Sequence, residues 1–190
     1  MNQITQVQEL NALETLSVEG LQNIEKVFMA NFEKRKVTNP DDYYFSDAER
    51  KTLDTVRFFI TKKEHQDDNV RVKDMFYTSW GYDQTNTEHF QIVKISPTGK
   101  TCQVIRIGSK SVEGSGGFMC DSVLPDPTNI INAKPCQVKI ERSRSFNPIT
   151  NQHEEIGEIN LRGSVYYSGD SKHLQNLYRC KGSNYRSWYA

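Results

Sequence analysis

Met75-Phe76-Tyr77-Thr78-Ser79-Trp80-Gly81-Tyr82-Asp83-Gln84-Thr85-Asn86 decides how the chain is read. It lies across two runs rich in β-branched and aromatic residues, 70–80 and 89–96. Such side chains suit a pleated, half-buried surface, and the polar link between them is longer than a two-residue hairpin turn. These residues predict two antiparallel strands whose connection displays Trp80, Tyr82, Asp83, Gln84 and Asn86.

Working outward, Pro97-Thr98-Gly99-Lys100 has the composition of a tight turn. The following 101–107 alternates, with Cys102, Val104 and Arg106 on one face and Gln103, Ile105 and Ile107 on the other, as a third strand would. Residues 108–135 read as looser, because Gly114-Ser115-Gly116-Gly117, Pro125-Asp126-Pro127 and Lys134-Pro135 break regular structure. A fourth strand is expected over 137–142, a turn at Asn147-Pro148-Ile149-Thr150-Asn151, and a fifth strand over 156–165. In the tail, Leu174, Leu177, Tyr178, Tyr185, Trp188 and Tyr189 are expected to fold back on the core.

On the N-terminal side the period changes to helical. Ile4, Val7, Leu10, Leu13 and Leu16 fall at threes, and Leu21, Ile24, Phe28 and Phe32 form a stripe. Gly20 argues against one continuous helix, and Ser17 is placed to cap a second segment. Thr38-Asn39-Pro40-Asp41-Asp42 reads as a turn. Ser46-Asp47-Ala48-Glu49 then has the form of a capping box, opening a helix to about residue 63 with Leu53, Val56, Phe59 and Ile60 on one face. The polar run His65-Gln66-Asp67-Asp68-Asn69 marks a hinge. The expected fold is therefore α+β. An N-terminal helical segment, 1–69, precedes a curled antiparallel β domain, 70–190, of five to six strands, SH3-like or similar.

Composition narrows the function. The chain has 190 residues, 25% charged and 11% aromatic, and its formal net charge is zero. It is thus a folded protein without the dense basic stripe of a committed nucleic-acid binder. The helical part is acidic on balance and the β part basic, +4 over 70–190. No apolar run is long enough for a membrane helix, and Met1-Asn2-Gln3-Ile4-Thr5-Gln6 has neither a basic start nor an apolar core of a secretion signal. The four scattered cysteines, without a C-x-x-C pair, fit reduced thiols in a cytoplasm.

Chemistry-bearing patterns are sparse. Gly114-Ser115-Gly116-Gly117 lacks the G-K-[ST] ending of a phosphate loop and reads as a mobile loop. His65, His89, His153 and His173 have no zinc-helix spacing, and no serine lies in G-x-S-x-G, so no metal, cofactor or catalytic residue is expected. A small hydrolase or nuclease using Asp83 and His89 is the remaining enzymatic reading. Trp80, Tyr82, Asp83, Gln84 and Asn86 offer aromatic planes and amide groups suited to partner recognition; the alternative is that they tie the loop to its own backbone. The alternative function is a nucleic-acid-binding β-barrel module, in which the same loop would stack bases and the short basic patch of Lys139, Arg142 and Arg144 would hold phosphates. The helix over 21–36 is a second candidate surface.

The run 77–86, followed by Phe90-Gln91-Ile92-Val93-Lys94, resembles a group of uncharacterised proteins encoded on bacteriophages, plasmids and other mobile elements. In these a W-G-Y-D-Q-T-N loop joins two strands, and an ending like Gly182…Trp188-Tyr189-Ala190 recurs. This chain has His89 where an aromatic is common in the group. The resemblance implies a cytoplasmic accessory protein of a mobile element. It further implies an anti-CRISPR-like inhibitor that binds a host defence protein, such as a Cas effector, or its nucleic-acid complex.

Overall fold

The computed structural model describes residues 12–38, 44–81, 84–168 and 171–187. By its contacts the chain divides into two compact units. One comprises residues up to Asp68 with Ser143–Glu158; the other comprises Asn69–Arg142 with Ile159 onward.

In the first unit a 3-10 turn, Leu13–Thr15, leads through extended Leu16 into α1, Val18–Thr38. Ser17 caps α1: its Oγ accepts from Gly20 N at 3.1 Å and its carbonyl from Leu21 N at 3.0 Å. The chain therefore breaks at Leu16–Ser17, and Gly20 sits within the first turn, where its cost is smallest. Ile4, Val7, Leu10 and residues 39–42 of the expected turn lie outside the described residues, and Thr38, expected in that turn, ends α1 instead. The second helix, α2, is Asp47–His65, opened by the Ser46/Glu49 capping box. Ser46 N donates to Glu49 Oε2 at 2.8 Å, and Glu49 N to Ser46 Oγ at 3.3 Å. Arg35 of α1 donates to both oxygens of Glu49, at 2.6 and 3.3 Å. That hydrogen bond, followed by those from Ser46, lowers the Glu49 pKa to about 2. Leu53, Val56, Phe59 and Ile60 are buried as their spacing predicts, and so is Phe58. Phe58 joins Leu21, Val56, Phe59 and Ile60 in a core that also receives Ile149 and Ile156 from a hairpin tip, so α2 is covered on more than one face.

Among the described residues the second unit is a sheet of seven strands, not five or six: β1 (Met75–Trp80), β2 (Asn86–Ile95), β3 (Thr101–Ser111), β4 (Cys120–Asn147), β5 (Gln152–Ser168), β6 (Ser171–Arg179) and β7 (Asn184–Ser187). The last parts of β4 and first parts of β5 form the hairpin tip grouped with the helices. The order is β3-β2-β1-β6-β5-β4-β7, and β3 also pairs with β4, so the ladder of six strands returns on itself. Phe76, Phe90, Ile92, Val104, Val138 and Leu161 belong to its core, each essentially without exposure. Gly163 permits close packing of β5 on β4, since a Cβ there would lie 2.8 Å from Val138 Cγ1.

Three expectations need correction. The first strand starts at Met75 rather than at residue 70, because Lys73 has φ 78° and Asp74 Oδ2 accepts from Arg71 N at 3.0 Å, forming a turn. The 108–135 stretch is not loose: β3 runs on to Ser111 and β4 starts at Cys120. The tail supplies two further strands, with Leu177 fully buried but Leu174, Tyr178 and Tyr185 exposed. Ser115 knits the glycine-rich loop between β3 and β4, donating to Val112 O at 2.7 Å and accepting from Ser122 N at 3.0 Å.

Removing the α2 cap by Ser46→Ala should destabilise the helical unit by about 1 kcal/mol. Urea titration followed by helical circular dichroism would show an earlier transition; an unchanged midpoint would mean that the box adds nothing.

Candidate functional site

The connection between β1 and β2 is closed at its base by the cross-strand pair Trp80 and Asn86. Gly81 turns the chain at φ 129°, and a Cβ there would collide with the Gln84 carbonyl oxygen. Only glycine serves at such a position. Thr85 is held by β7 on both sides of its peptide: its N donates to Ser187 Oγ at 2.9 Å, and its O accepts from Ser187 N at 2.9 Å. Thr87 Oγ1 donates to Tyr185 O at 2.7 Å. The corner is thus fastened by a strand remote in sequence.

Of the five predicted contact residues, Trp80, Gln84 and Asn86 gather at this corner, each half-buried. Tyr82 and Asp83 lie outside the described residues. The Trp80 indole nitrogen is shielded from solvent, and Asn86 Nδ2 is shielded without a hydrogen-bond partner among the described residues.

Alternation on β1 and β2 continues this face inward through Thr78 and Glu88 to Phe76 and Phe90. Arg106, opposite Phe90 on β3, reaches Glu88 Oε2 with Nη2 at 2.7 Å and Nε at 2.8 Å. Both side chains are under one-fifth exposed. Burial raises the Glu88 pKa, with Arg106 opposing it. Thr78 Oγ1 donates to Gln175 Oε1 at 3.1 Å. The face beneath the corner is therefore polar and largely internal. Sequence reading missed Glu88 and Gln175 as part of it. Arg106 carried a usable signal, since a cation continuing the apolar face of Cys102 and Val104 requires an anion nearby.

On the opposite face His89 has no exposure. Its Nε2 lies 3.0 Å from Asn184 Oδ1 and its Nδ1 2.7 Å from Ser109 Oγ. Asn184 Oδ1 can only accept, which assigns the proton to Nε2 and makes Nδ1 the acceptor from Ser109. Burial lowers the His89 pKa, the Asn184 bond opposing it and the Arg186 charge adding to it. Arg186 itself is engaged by Asp121 at 2.8 and 3.0 Å, and this bond holds the Asp121 carboxyl below its usual range. The imidazole thus joins β2, β3 and β7 with both nitrogens occupied by neutral groups.

The basic patch is divided. Lys139 and Arg142 belong to the sheet unit, whereas Arg144, which donates to His153 O at 3.4 Å, belongs to the helical unit. Burial pushes the Cys102 and Cys180 thiols up to about 12, far from thiolate reactivity at neutral pH. Among the described residues no three His, Cys, Asp or Glu side chains converge in a way that could hold a metal ion. No helix of the described residues is long and apolar enough to cross a membrane. No family model matches the chain, and no match is found among curated proteins or solved structures.

His89 makes stability sensitive to mild acid. Its folded pKa lies below the unfolded value of about 6.5, so between the two the unfolded chain binds the additional proton. Its share of stability is complete above about pH 6.5 and is lost as pH falls toward the folded value. Glu88 has the opposite sign, because its raised folded pKa favours proton uptake by the fold. The urea midpoint should fall on going from about pH 7.5 to about 5.5, and His89→Gln should flatten that fall. An equal fall in both proteins would assign the sensitivity elsewhere.

Proposed function

We propose that the chain is a non-enzymatic binding protein of a phage or other mobile element. In this reading it acts in the cytoplasm of a bacterial host and inhibits a defence effector, such as a Cas protein, by occupying its surface. The β1–β2 corner is the contact, and the six-strand ladder that returns on itself is a small SH3-like barrel presenting it.

The observation that carries this reading is the fastening of the corner. Gly81 sets its path, and Ser187 holds Thr85 through two hydrogen bonds. Contact residues held in place before docking lose little conformational freedom on binding, so more of their contact energy appears as affinity. Tryptophan and tyrosine are the side chains that most often dominate such contacts. The engagement of His89 favours binding over hydrolysis, because a general base needs a nitrogen free for substrate or water. The loop's resemblance to mobile-element proteins supplies the biological setting.

The test is affinity capture by the tagged full chain in a bacterium with active CRISPR immunity. Eluted proteins are identified with and without nuclease treatment. A defence effector should be retained after nuclease, and Trp80→Phe or Gln84→Ala should weaken its purified complex about tenfold, equal to 1.4 kcal/mol. Capture without any defence effector, or capture that nuclease abolishes, would overturn the reading.

A further inference from the structure

We infer that the outer face of β4 and β5 carries a binding site for a nucleotide phosphate. This site is separate from the β1–β2 corner and does not depend on the function proposed for it.

A surface cavity of about 550 Å³ opens on this face, with Gly163 in its lining. Its size falls within the range of small-molecule sites, roughly 300–1,000 Å³. Two cations, Lys139 from β4 and Arg162 from β5, line it. Arg35, Arg57, Arg106, Arg179 and Arg186 each sit in an ion pair. Lys139 and Arg162 have no ion-pair partner among the described residues, although Glu141 lines the same cavity. With Glu141 also in the lining, the two cations leave a net charge of +1, which favours an anionic ligand. The guanidinium fork matches two phosphate oxygens, and the ammonium supplies a compact second charge.

The remaining walls fit the rest of a nucleotide. Gln137 and Ser164 offer neutral hydrogen-bonding groups, and Glu141 can accept from a sugar hydroxyl. Leu174, 62% exposed, is an apolar surface for the base or sugar. Among its lining residues there is no aromatic ring on which a base could stack, so the phosphate carries recognition and base identity matters little.

A second cavity of about 200 Å³ shares Thr101 and Gln137 with the first and adds Lys94. A following phosphate of the same strand has a third cation there. The shared chemistry is thus a phosphate ester, supplied either by a free nucleotide or by a single strand. The volume suits a single nucleotide rather than a paired duplex.

The full chain is titrated by calorimetry with thymidine monophosphate and by fluorescence anisotropy with a short labelled oligothymidylate, single-stranded and as a duplex with its complement. Thymidine monophosphate should bind in the millimolar range or tighter, and Arg162→Ala and Lys139→Ala should each weaken it about tenfold. Both side chains point to solvent, so circular dichroism should confirm an unchanged fold. If a strand is the ligand, the single-stranded oligomer binds more tightly than the monophosphate. Its log affinity then falls with log salt by about 0.7 for each phosphate neutralised, and Lys94→Ala lowers that slope. If a free nucleotide is the ligand, the oligomer gains nothing. No binding of either probe at millimolar concentration would overturn the proposal. So would binding insensitive to Arg162→Ala, or duplex binding as tight as single-strand binding.

Discussion

The closure of β3 on β4 is the constraint on which the sheet unit depends. Pairing begins at Thr101 with Lys139 and ends at Ser111 with Val123. β3 therefore has a partner on each side, β2 on one and β4 on the other. A strand paired on both edges leaves no template for aggregation, and the ring so formed can enclose Phe76, Phe90, Val104, Val138 and Leu161 away from water. Maintaining that pairing over a curved path requires extra residues in β4. Its register shifts between Val104 and Arg106, again before Ile107, and again before Gly108. Pro127 and Pro135 fall within the residues skipped by these shifts, where a missing N–H breaks no ladder hydrogen bond. Asp126 stabilises one excursion by accepting from Thr128 N at 3.0 Å, and Asn132 another by accepting from Lys134 N at 2.9 Å.

This explains which parts of the fold were legible. Proline and glycine in 114–135 read as breakers, and locally they are; the strand continues because β3 pulls it back into register. No local pattern encodes that pull. The helix caps were legible because Ser17 and Ser46 act on amides within three or four residues. Burial of Phe58 was not, because the side chains that join it in the core, Ile149 and Ile156, lie far along the chain. Strands β6 and β7 carry too few alternating apolar residues to declare themselves, and Leu177 is the one deeply buried side chain between Ser171 and Ser187.

The candidate site was legible to the extent that it is contiguous. Trp80, Gln84 and Asn86 are neighbours in sequence and in space. Glu88 and Arg106 meet only through register, and their shared face emerges once Phe90 is set opposite Arg106. A pair this sheltered adds little net stability, since desolvation offsets most of its attraction. It does penalise misalignment: a one-residue slip of β3 would turn Arg106 to the other face and leave Glu88 alone in a poorly solvated site. Arg162 passed unnoticed for a similar reason. Nothing near it in the chain is basic, and its companion Lys139 stands on another strand.

The short strand β7 links these features. Its Asn184 holds His89, its Tyr185 carbonyl holds Thr87, its Arg186 holds Asp121 and its Ser187 holds Thr85. Each is a polar contact, and three of the four engage β2 or the loop that precedes it. A strand of four residues has little apolar area with which to anchor itself, so its position is set by these bonds more than by burial. The shape of the β1–β2 corner is consequently determined by residues about a hundred positions downstream. Loss of any one bond leaves its partner unsatisfied in a sheltered site, which costs more than the bond alone contributes. The corner and β7 therefore order together. The corner keeps its shape only with β7 in place.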